Sequence, residues 1–360
     1  MPVPALMQAV LLTGNGGFEK LALREDVPVP VPAADELLIR VGAAGVNNTD
    51  INTRTAWYSK AVTSATEEGG EGGFAAARTE DSGWTGAVPQ FPRIQGADAC
   101  GIVVATGAAV DPARIGERVL VEPVFRAPGG GAYEATYFGS ERDGGFAQYA
   151  CVPAAHAHRI ESALSDVELA SFPCAWSAAE NMLTRAGLAR GERVLICGAS
   201  GGVGSAAVQL ARRRGALVTA IAGADKLAAI AGLGAERVIP RDADVRALFG
   251  SEYFDVVIDS VGGGQFGARL DALKRGGRYA VAGAIAGPIV ELDLRTLYLK
   301  DLRLIGCTIL DAGVFANLVR IIEAGEVRPM VSAVYPLSRI VEAQQAFLAK
   351  QHIGKIVLIP

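Results

Sequence analysis

A glycine-rich turn, CGASGGVG at residues 197–204, follows the apolar run RVLI and opens a helical pattern, SAAVQLARR. Ala199, Gly201 and Gly204 occupy the three positions of a G-x-G-x-x-G spacing, with Ala in place of the first Gly. A turn without side chains at its centre lets backbone N–H groups approach a pyrophosphate, whose charge the helix N-terminus stabilises. The order strand, turn, helix therefore predicts a dinucleotide-binding site. We expect cofactor contacts from Ala199, Ser200, Gly201, Gly202 and Val203.

The same turn also spells a G-x-S-x-G pattern through Gly198, Ser200 and Gly202. That pattern is the nucleophile elbow of α/β-hydrolases, which also joins a strand to a helix. A hydrolase of that class needs an Asp and then a His later in the chain, and His352 is the only His after Ser200. The elbow also leaves Gly204 and the first half of the chain unexplained, so we favour the nucleotide site.

The residues after the next predicted strand indicate which nucleotide binds. An acidic side chain there would bind the adenosine ribose hydroxyls of NAD. Gly223, nineteen residues after Gly204, carries no side chain, and Lys226 and Arg241 are cations that could meet a 2′-phosphate. The sequence therefore predicts NADP(H) rather than NAD(H).

A polar cluster, GVNNTD at residues 45–50, ends the apolar stretch LLIRVGAAGV. Buried polar groups cost free energy unless they are paired, so these side chains must be satisfied locally or face a cleft. Thr49 or Asp50 could cap the short helix DINTR that follows. Capping and lining a cleft are compatible, and we keep both interpretations for Asp50.

Cysteine and histidine give no pattern of metal ligands. The five cysteines are widely spaced without a C-x-x-C pair, which fits neither a zinc knuckle nor a disulfide framework. Of the three histidines, His156 and His158 share an extended segment and His352 stands alone. We predict buried free thiols and no metal site.

Composition narrows the class of protein. With 360 residues and 50 % apolar content, the chain can form about two domains. A net charge of −4 gives no reason to expect nucleic acid or anionic membranes as partners. The N-terminus lacks the pattern of a signal peptide and no apolar run could span a bilayer, so we predict a soluble cytoplasmic protein without membrane partners.

The chain has two parts that differ in the pattern of predicted strands and helices. The first 150 residues carry short apolar strands broken by Gly and Pro, such as DELLIRVGAAGV and ACGIVVATG. After about residue 165, apolar strands alternate with helical stretches, as in RVLICGASGGVGSAAVQLARR and FDVVIDSVGG. That alternation predicts βαβ units and a parallel sheet covered on both faces.

One segment within the first part, at about residues 60–88, fits neither pattern. Its sequence TEEGGEGGFAAARTEDSGWTG is rich in Gly and acidic residues and has no clear period. A disordered surface loop is one interpretation. A mobile flap over a cleft is the other, because Trp57, Tyr58 and Trp84 lie at its borders.

These motifs, in order along the chain, resemble the medium-chain dehydrogenase/reductase superfamily and its zinc-free quinone oxidoreductase branch. The match runs through GVNNTD, QGADACGIVVATG, GERVLVEP, DGGFAQYACVP, GASGGVGSAAVQLA, FDVVIDSVGG and GKIVLIP, and omits the insert at 60–88. The resemblance implies an α/β fold with two domains. A GroES-like β-rich catalytic domain would cover 1–160 and 311–360, and a doubly wound parallel-sheet (Rossmann) nucleotide-binding domain would cover 161–310.

The resemblance also indicates whether the protein uses a catalytic zinc ion. Zinc alcohol dehydrogenases of the superfamily place a metal-binding Cys where this chain has Asn47, and a His-Glu pair where it has Ala97 and Asp98. A neutral amide binds zinc poorly in comparison with thiolate or imidazole. The resemblance therefore implies catalysis without zinc.

The zinc-free branch carries N-x-x-D at this point, which Asn47 and Asp50 match, and by resemblance both face the nicotinamide end of the cleft. Arg54 matches a family position near the substrate, whereas Asn52 stands where many quinone reductases of the family have Tyr. We therefore assign Asn47, Asp50, Arg54 and Tyr58 as candidate catalytic residues. The remaining cofactor contacts are predicted at Asn47, Gly223, Lys226, Arg241, Ser260, Gly283, Ala284 and Lys355.

Without a metal, hydride transfer requires an acceptor that is already electrophilic. Hydride addition to a quinone or conjugated enone gives a delocalised anion that hydrogen-bond donors can stabilise, whereas a simple alkoxide needs zinc or a matched base. We expect those donors to be Asn47, Arg54, Tyr58 and backbone amides near Gly283 and Ala284. The sequence predicts an NADPH-dependent quinone or enone reductase.

Two other functions remain open at this point: an enoyl-thioester reductase of the same fold, and a non-catalytic NADPH-binding redox sensor. The acidic insert disfavours the first, whose substrate carries a phosphopantetheine arm. The strand DLRLIGCTIL could pair across a two-fold axis, as in the family, and so predicts a homodimer.

Overall fold

The computed structural model describes residues 3–126, 129–131 and 133–360. Its strands are β1 Leu6–Leu12, β2 Leu21–Pro28, β3 Glu36–Gly45, β4 Arg93–Ile94, β5 Cys100–Thr106, β6 Arg118–Val121, β7 Val124–Arg126, β8 Ala135–Tyr137, β9 Tyr149–Pro153, β10 Ala157–Arg159, β11 Arg193–Ile196, β12 Leu217–Ala222, β13 Arg237–Pro240, β14 Phe254–Asp259, β15 Leu273–Val281, β16 Arg303–Gly306, β17 Val331–Pro336 and β18 Lys355–Ile359. Its α-helices are α1 Asn48–Thr55, α2 Asp166–Leu169, α3 Pro173–Arg185, α4 Gly202–Arg213, α5 Leu227–Ala231, α6 Val245–Phe249, α7 Phe266–Asp271, α8 Leu294–Leu299, α9 Val314–Glu323 and α10 Ile340–Leu348.

The second half of the chain forms the predicted doubly wound sheet. Six strands lie in the order β13-β12-β11-β14-β15-β16, and every pair is parallel. Their runs of Val, Ile and Leu are buried on both faces, as expected for parallel strands between helices. The strand order reverses between β11 and β14, and ligands of such sheets bind outside the carboxyl ends of the strands at this point.

The first half is the predicted β-rich part. A sheet with the order β10-β6-β5-β3-β18-β17 lies beside a smaller sheet, β2-β1-β4. The C-terminal strand β18 pairs antiparallel with β3, where Val357 lies opposite Gly45. This pairing brings the start of β18 next to the polar cluster that follows β3.

The insert at 60–88 is packed against the body of the protein. The N–H of Phe74 donates to the carbonyl of Thr55, and the N–H of Thr66 donates to the carbonyl of Ile285 on the nucleotide-binding side. The Trp84 ring stacks on Tyr137 with ring centroids 4.3 Å apart. The insert therefore contacts both halves of the chain and is ordered here, unlike a disordered surface loop, and its role as a mobile flap stays a prediction.

No helix in the described ranges combines the length and apolar content needed to cross a bilayer. The parallel sheet and the β-rich part confirm the predicted fold class. The predicted domain bounds stay a prediction. Helix α9 lies within 311–360, the range predicted for the catalytic domain, but it packs beside α3 in the core next to the parallel sheet.

Candidate functional site

The glycine turn joins β11 to α4 and leaves room for an anion. A Cβ added to Gly201 would meet only the carbonyl oxygen of Gly198, at 3.6 Å, whereas one added to Gly204 would lie 2.2 Å from that same oxygen. Gly201 caps α4 with extended backbone and no side-chain hydrogen bond, so the first amides of the helix are not capped by a side chain. Gly201 thus leaves an open cradle and Gly204 permits close packing, and both fit a dinucleotide pyrophosphate.

Two further loops lie at the same edge of the sheet. Ser260 follows β14, and its Oγ would be 3.6 Å from a Cβ on Gly198. Gly283 and Ala284 follow β15, and a Cβ on Gly283 would be 3.1 Å from the carbonyl oxygen of Ser260. The structure therefore brings these three predicted cofactor residues together beside the glycine turn.

The two cations predicted to meet a 2′-phosphate differ in exposure and in hydrogen bonding. Lys226 is buried, and its ammonium group donates to the carbonyls of Lys350 and His352, the latter at 3.1 Å. Two of the three ammonium donors of Lys226 are thus paired inside the protein, and its contact with a 2′-phosphate stays a prediction. Arg241 is exposed, and Gly223 follows β12 without an acidic side chain, as predicted.

Asn47, Asp98 and Lys355 form a buried polar group that we call the lysine node. Lys355 Nζ donates to Asn47 Oδ1 at 2.5 Å and to Asp98 Oδ2 at 2.7 Å. Asn47 Nδ2 donates to Asp98 Oδ2 at 2.8 Å and to the Gly45 carbonyl at 3.2 Å. All three side chains are less than one-tenth exposed. The node fixes the amide orientation of Asn47, because every polar atom of that amide is paired.

The hydrogen bonds of the lysine node correct the predicted roles of Asn47 and Lys355. Both N–H groups of the Asn47 amide are donated within the protein, so Asn47 is not a free donor for a substrate oxygen. The Lys355 ammonium is paired as well, but its stem lies against the glycine turn, where a Cβ on Gly202 would be 2.8 Å from Lys355 Cδ. Lys355 therefore reaches the cofactor turn through its stem and not through its charge.

Asp50 supports the start of helix α1. Its Oδ2 accepts the N–H of Asn47 at 2.8 Å, and its Oδ1 accepts the N–H of Gly96 at 3.2 Å. The helix begins at Asn48, earlier than predicted, so its N-cap is Asn47 and not Thr49 or Asp50; Asp50 instead lies in the first turn and accepts the N–H of the capping residue. Burial raises the pKa of Asp50 to about 7, partly opposed by the hydrogen bond from Asn47 and the charge of Lys355.

Arg54 does not reach the candidate cleft, so the prediction of a substrate donor there is wrong. It is fully buried, and its Nε donates to Gln344 Oε1 at 2.9 Å. Its two terminal nitrogens donate to the carbonyls of Gly16, at 3.0 Å, and Gly70, at 2.7 Å. Arg54 therefore ties the insert to the β-rich part, and burial lowers the pKa of its guanidinium to about 10.

Tyr58 remains a candidate donor. It is half-buried, and burial raises the pKa of its hydroxyl to about 12, so that it stays protonated at neutral pH. The side chains of Thr49 and Asn52 oppose this shift in pKa through hydrogen bonding to the phenol hydroxyl. Sequence reasoning did not assign this polar set, although both residues lie in the motif it singled out.

The residues at the lysine node do not fit a zinc ion. Ala97 has no donor atom, the Asn47 amide is fully paired, and the Lys355 ammonium already neutralises Asp98. Burial holds the pKa of the neighbouring Cys174 thiol above its usual range, so it is not a thiolate ligand. In the part of the chain that the structure describes, no three His, Cys, Asp or Glu side chains converge as metal ligands would.

A cavity of about 880 Å³ lies elsewhere. It is lined by residues of β7 and β8 and by Arg142 and His156. None of its described lining residues belongs to the predicted site. The glycine turn and the lysine node, and not this cavity, therefore define the candidate site.

Comparisons with known proteins agree with the fold. Residues 33–162 match the family model of the alcohol dehydrogenase GroES-like domain, and residues 202–324 match that of zinc-binding dehydrogenases. The crystal structure of a putative alcohol dehydrogenase from Sinorhizobium meliloti 1021 is 47 % identical, with a TM-score of 0.88 over 99 % of this chain and 98 % of that one.

Two other relatives are more distant. A quinone oxidoreductase from Lama guanicoe is 27 % identical over 98 % of both chains. A 2-octenoyl-CoA carboxylase reductase from a Streptomyces species, in complex with NADP and 2-octenoyl-CoA, is 27 % identical with a TM-score of 0.83, over 99 % of this chain and 88 % of that one. These relatives are oxidoreductases, and the chain belongs to the medium-chain dehydrogenase/reductase superfamily, within its quinone oxidoreductase-like members.

Proposed function

We propose that the chain is a zinc-independent, NADPH-dependent oxidoreductase that transfers hydride to a quinone or an α,β-unsaturated carbonyl compound. The observation that carries this proposal is the lysine node. It pairs an ammonium group with Asn47 and Asp98, which by resemblance stand where zinc enzymes of the superfamily have a metal-binding Cys and the Glu of a His-Glu pair. A site without a Lewis acid suits an acceptor whose reduced form is a delocalised anion.

The bound cofactor would supply the hydride, and the protein would position the reactants. The open cradle at Gly201 and the amides of α4 would hold the pyrophosphate, beside Ser260, Gly283 and Ala284. Tyr58, protonated at neutral pH, would donate a hydrogen bond to the developing oxyanion. Asn47 and Asp50 would act as positioning residues, because their polar groups are paired within the protein.

The preference for NADPH is supported by Gly223, which leaves no acid for the ribose hydroxyls, and by the exposed Arg241. The structure of the Streptomyces relative is a complex with NADP. Fluorescence titrations with NADPH and NADH test this preference. Tighter binding of NADH, or an unchanged ratio in Arg241→Ala, would contradict it.

An enoyl-thioester reductase is the second candidate, because the structure of the Streptomyces relative is a complex that also contains 2-octenoyl-CoA. One assay separates the candidates: NADPH oxidation is followed with a panel of quinones, enones and enoyl-CoA esters. We expect turnover of quinones or enones. Tight NADPH binding without turnover of any acceptor would instead favour a non-catalytic sensor.

We also propose a homodimer that pairs through β16. This strand is the edge of the six-stranded sheet, and it exposes Leu304 beside the exposed apolar residues Leu294, Tyr298 and Leu299. An unpaired apolar edge is a template for a second strand. Light scattering should give twice the chain mass, and Leu304→Asp should give a monomer. A monomeric native protein would refute the dimer.

A further inference from the structure

Strand β14 ends at Asp259, whose buried carboxylate has both oxygens paired. Its Oδ1 accepts the N–H groups of Val261, at 2.7 Å, and Gly262, at 3.2 Å. Its Oδ2 accepts the guanidinium N–H of Arg269, at 3.0 Å, and the hydroxyl of Tyr279, at 2.5 Å. The side chains of the aspartate, the arginine and the tyrosine are each less than one-twentieth exposed. We call Asp259, Arg269 and Tyr279 the aspartate anchor.

The aspartate anchor fixes the turn that follows β14. Arg269 lies on α7 and also donates to the carbonyl of Gly262 at 3.0 Å, and Tyr279 lies on β15. Both backbone polar groups of Gly262 are therefore bound by the anchor. Gly262 and Gly263 have φ angles of 62° and 71°, a left-handed backbone that favours glycine. The anchor thus connects an unusual turn to a helix and to a neighbouring strand of the same sheet.

The turn after β14 is joined to the turn after β15. The N–H of Ala286 donates to the carbonyl of Val261 at 2.8 Å. A Cβ added to Gly263 would lie 2.8 Å from the carbonyl oxygen of Ala286, so the two backbones are in close contact. We call residues 260–263 and 282–287 the paired loops. Because they pack backbone to backbone, the anchor that fixes the first loop also fixes the second.

The paired loops face the glycine turn. Of residues 260–263, Ser260 and Val261 are partly exposed and the two glycines are buried. A Cβ added to Gly198 would lie 2.8 Å from Val261 Cγ2 and 3.6 Å from Ser260 Oγ. The strands that lead into the glycine turn and into the anchor, β11 and β14, are neighbours, and the strand order reverses between them. The anchor therefore determines how the paired loops lie against the glycine turn.

The strand order indicates which half of a dinucleotide would meet the paired loops. Doubly wound sheets of this kind consist of two halves that each bind one nucleotide, and the residue after the second strand faces the adenosine ribose. Gly223 holds that position here, after β12, on the side formed by β11, β12 and β13. The paired loops belong to the other half, formed by β14, β15 and β16, which would hold the nicotinamide nucleotide.

We propose that Asp259 is a positioning residue that keeps the paired loops in the shape required to place the nicotinamide half of the cofactor. The inference rests on the proposed function, in which NADPH and one proton reduce a quinone to its hydroquinone and NADP⁺ leaves. A buried ion pair adds little to stability, since desolvation of the two charges offsets their attraction. The charged anchor at the cofactor edge therefore serves to select one loop shape.

The test compares Asp259→Asn with Asp255→Asn, a change in the other aspartate of β14. Asp255 also binds a cation and a backbone N–H, those of Lys274 at 2.7 Å and Arg193 at 2.8 Å, but it lies near the start of the strand. Three quantities are measured: kcat with 1,4-naphthoquinone, the Kd for NADPH, and the Kd for adenosine 2′,5′-bisphosphate, which lacks the nicotinamide half. If the native protein prefers NADH, then NADH and ADP replace the two ligands.

We expect Asp259→Asn to lower kcat about tenfold or more, because a misplacement of about 1 Å can cost on the order of 100-fold in rate. It should raise the Kd for NADPH about tenfold, since loops that are no longer fixed must be ordered on binding. The Kd for adenosine 2′,5′-bisphosphate should change less than about twofold, and Asp255→Asn should leave all three quantities within about twofold.

Two further variants separate positioning from stability. Asp259→Asn leaves the Arg269 cation buried without its acid, so Tm should fall. Adding Arg269→Met removes that cation and should restore part of Tm while kcat stays low, whereas a purely structural role predicts that kcat recovers with Tm. Tyr279→Phe keeps the charges and the ring but removes one donor to Asp259. It should lower kcat about threefold, and it tests the anchor even if Asp259→Asn does not fold.

The outcomes separate this inference from the proposed function. A native protein that binds NADPH but reduces no acceptor would refute the proposed function, and the two Kd values would still test the anchor. Equal losses of affinity for NADPH and for adenosine 2′,5′-bisphosphate in Asp259→Asn and Tyr279→Phe would refute the positioning role. Recovery of kcat together with Tm in the double variant would also refute it, while quinone reduction by the native protein upholds the proposed function. Binding of neither NADPH nor NADH would refute both.

Discussion

Replacing Lys355 by Met should strongly destabilise the protein, because the change leaves a carboxylate buried beside no cation. Asp98 has no exposed surface, and Lys355 is 2 % exposed. Removing one partner of a buried ion pair costs about 3–5 kcal/mol. Asp98 would keep the hydrogen bonds from Asn47 and Cys174, which favours the lower end of that range of destabilisation. The carbonyl of Val46 would lose its donor, which adds roughly 1 kcal/mol. We therefore expect a loss of about 4 kcal/mol.

The free energy of unfolding is measured by urea titration, with far-UV circular dichroism and tryptophan fluorescence as two probes whose transitions should coincide. Lys274→Met is the matched control. Its ammonium lies 2.7 Å from Asp255, the same distance as in the node, but its side chain is 36 % exposed. The control should cost less than about 1 kcal/mol.

A double-mutant cycle isolates the charge. Asp98→Asn combined with Lys355→Met removes the unpaired carboxylate, so the double variant should be more stable than the sum of the single effects by about 2 kcal/mol or more. If Lys355→Met costs no more than Lys274→Met, or if the two node substitutions add, the node does not stabilise the fold as argued.

Three further predictions follow from the site. The folded-state pKa of Asp50 lies above its ordinary value, so protonation of Asp50 favours the folded state and the free energy of unfolding falls as pH rises from about 4 to about 7. This decline should be roughly 1.4 kcal/mol per pH unit, and Asp50→Asn should remove it. Equal pH profiles of the native protein and the variant in urea titrations would contradict this. Gly201→Val should raise the Kd for NADPH more than 100-fold without lowering Tm, whereas Gly204→Val should lower Tm by more than 5 °C, because a Cβ would lie 3.6 Å from the Gly198 carbonyl oxygen in the first case and only 2.2 Å from it in the second. NADPH binding retained in Gly201→Val would contradict the assignment of the phosphate site. Arg54→Met should lower the free energy of unfolding by about 3 kcal/mol and change kcat/KM of the folded enzyme less than threefold. A larger effect on kcat/KM at unchanged stability would instead support a role of Arg54 in substrate binding.

Local patterns in the sequence were enough for the fold class and the cofactor turn. The alternation of apolar strands and helices predicted the parallel sheet, since each βαβ unit buries its own strand. The spacing of Gly201 and Gly204 predicted an open cradle and a close helix contact, because both demands act within one turn of chain. The sequence also predicted a short helix after the polar cluster, but it placed the cap at Thr49 or Asp50, whereas the structure has it at Asn47.

Only the tertiary structure decided which side chains are free to act. The partners of Lys355 are 308 and 257 residues away, and those of Arg54 include a residue 290 positions away. The amine of Lys226 meets carbonyls 124 and 126 residues distant. Type and local spacing identify a cation, but pairing between distant segments determines whether it is buried and bound or open to a ligand. For that physical reason the sequence by itself determined the cradle, and the tertiary structure decided what surrounds it.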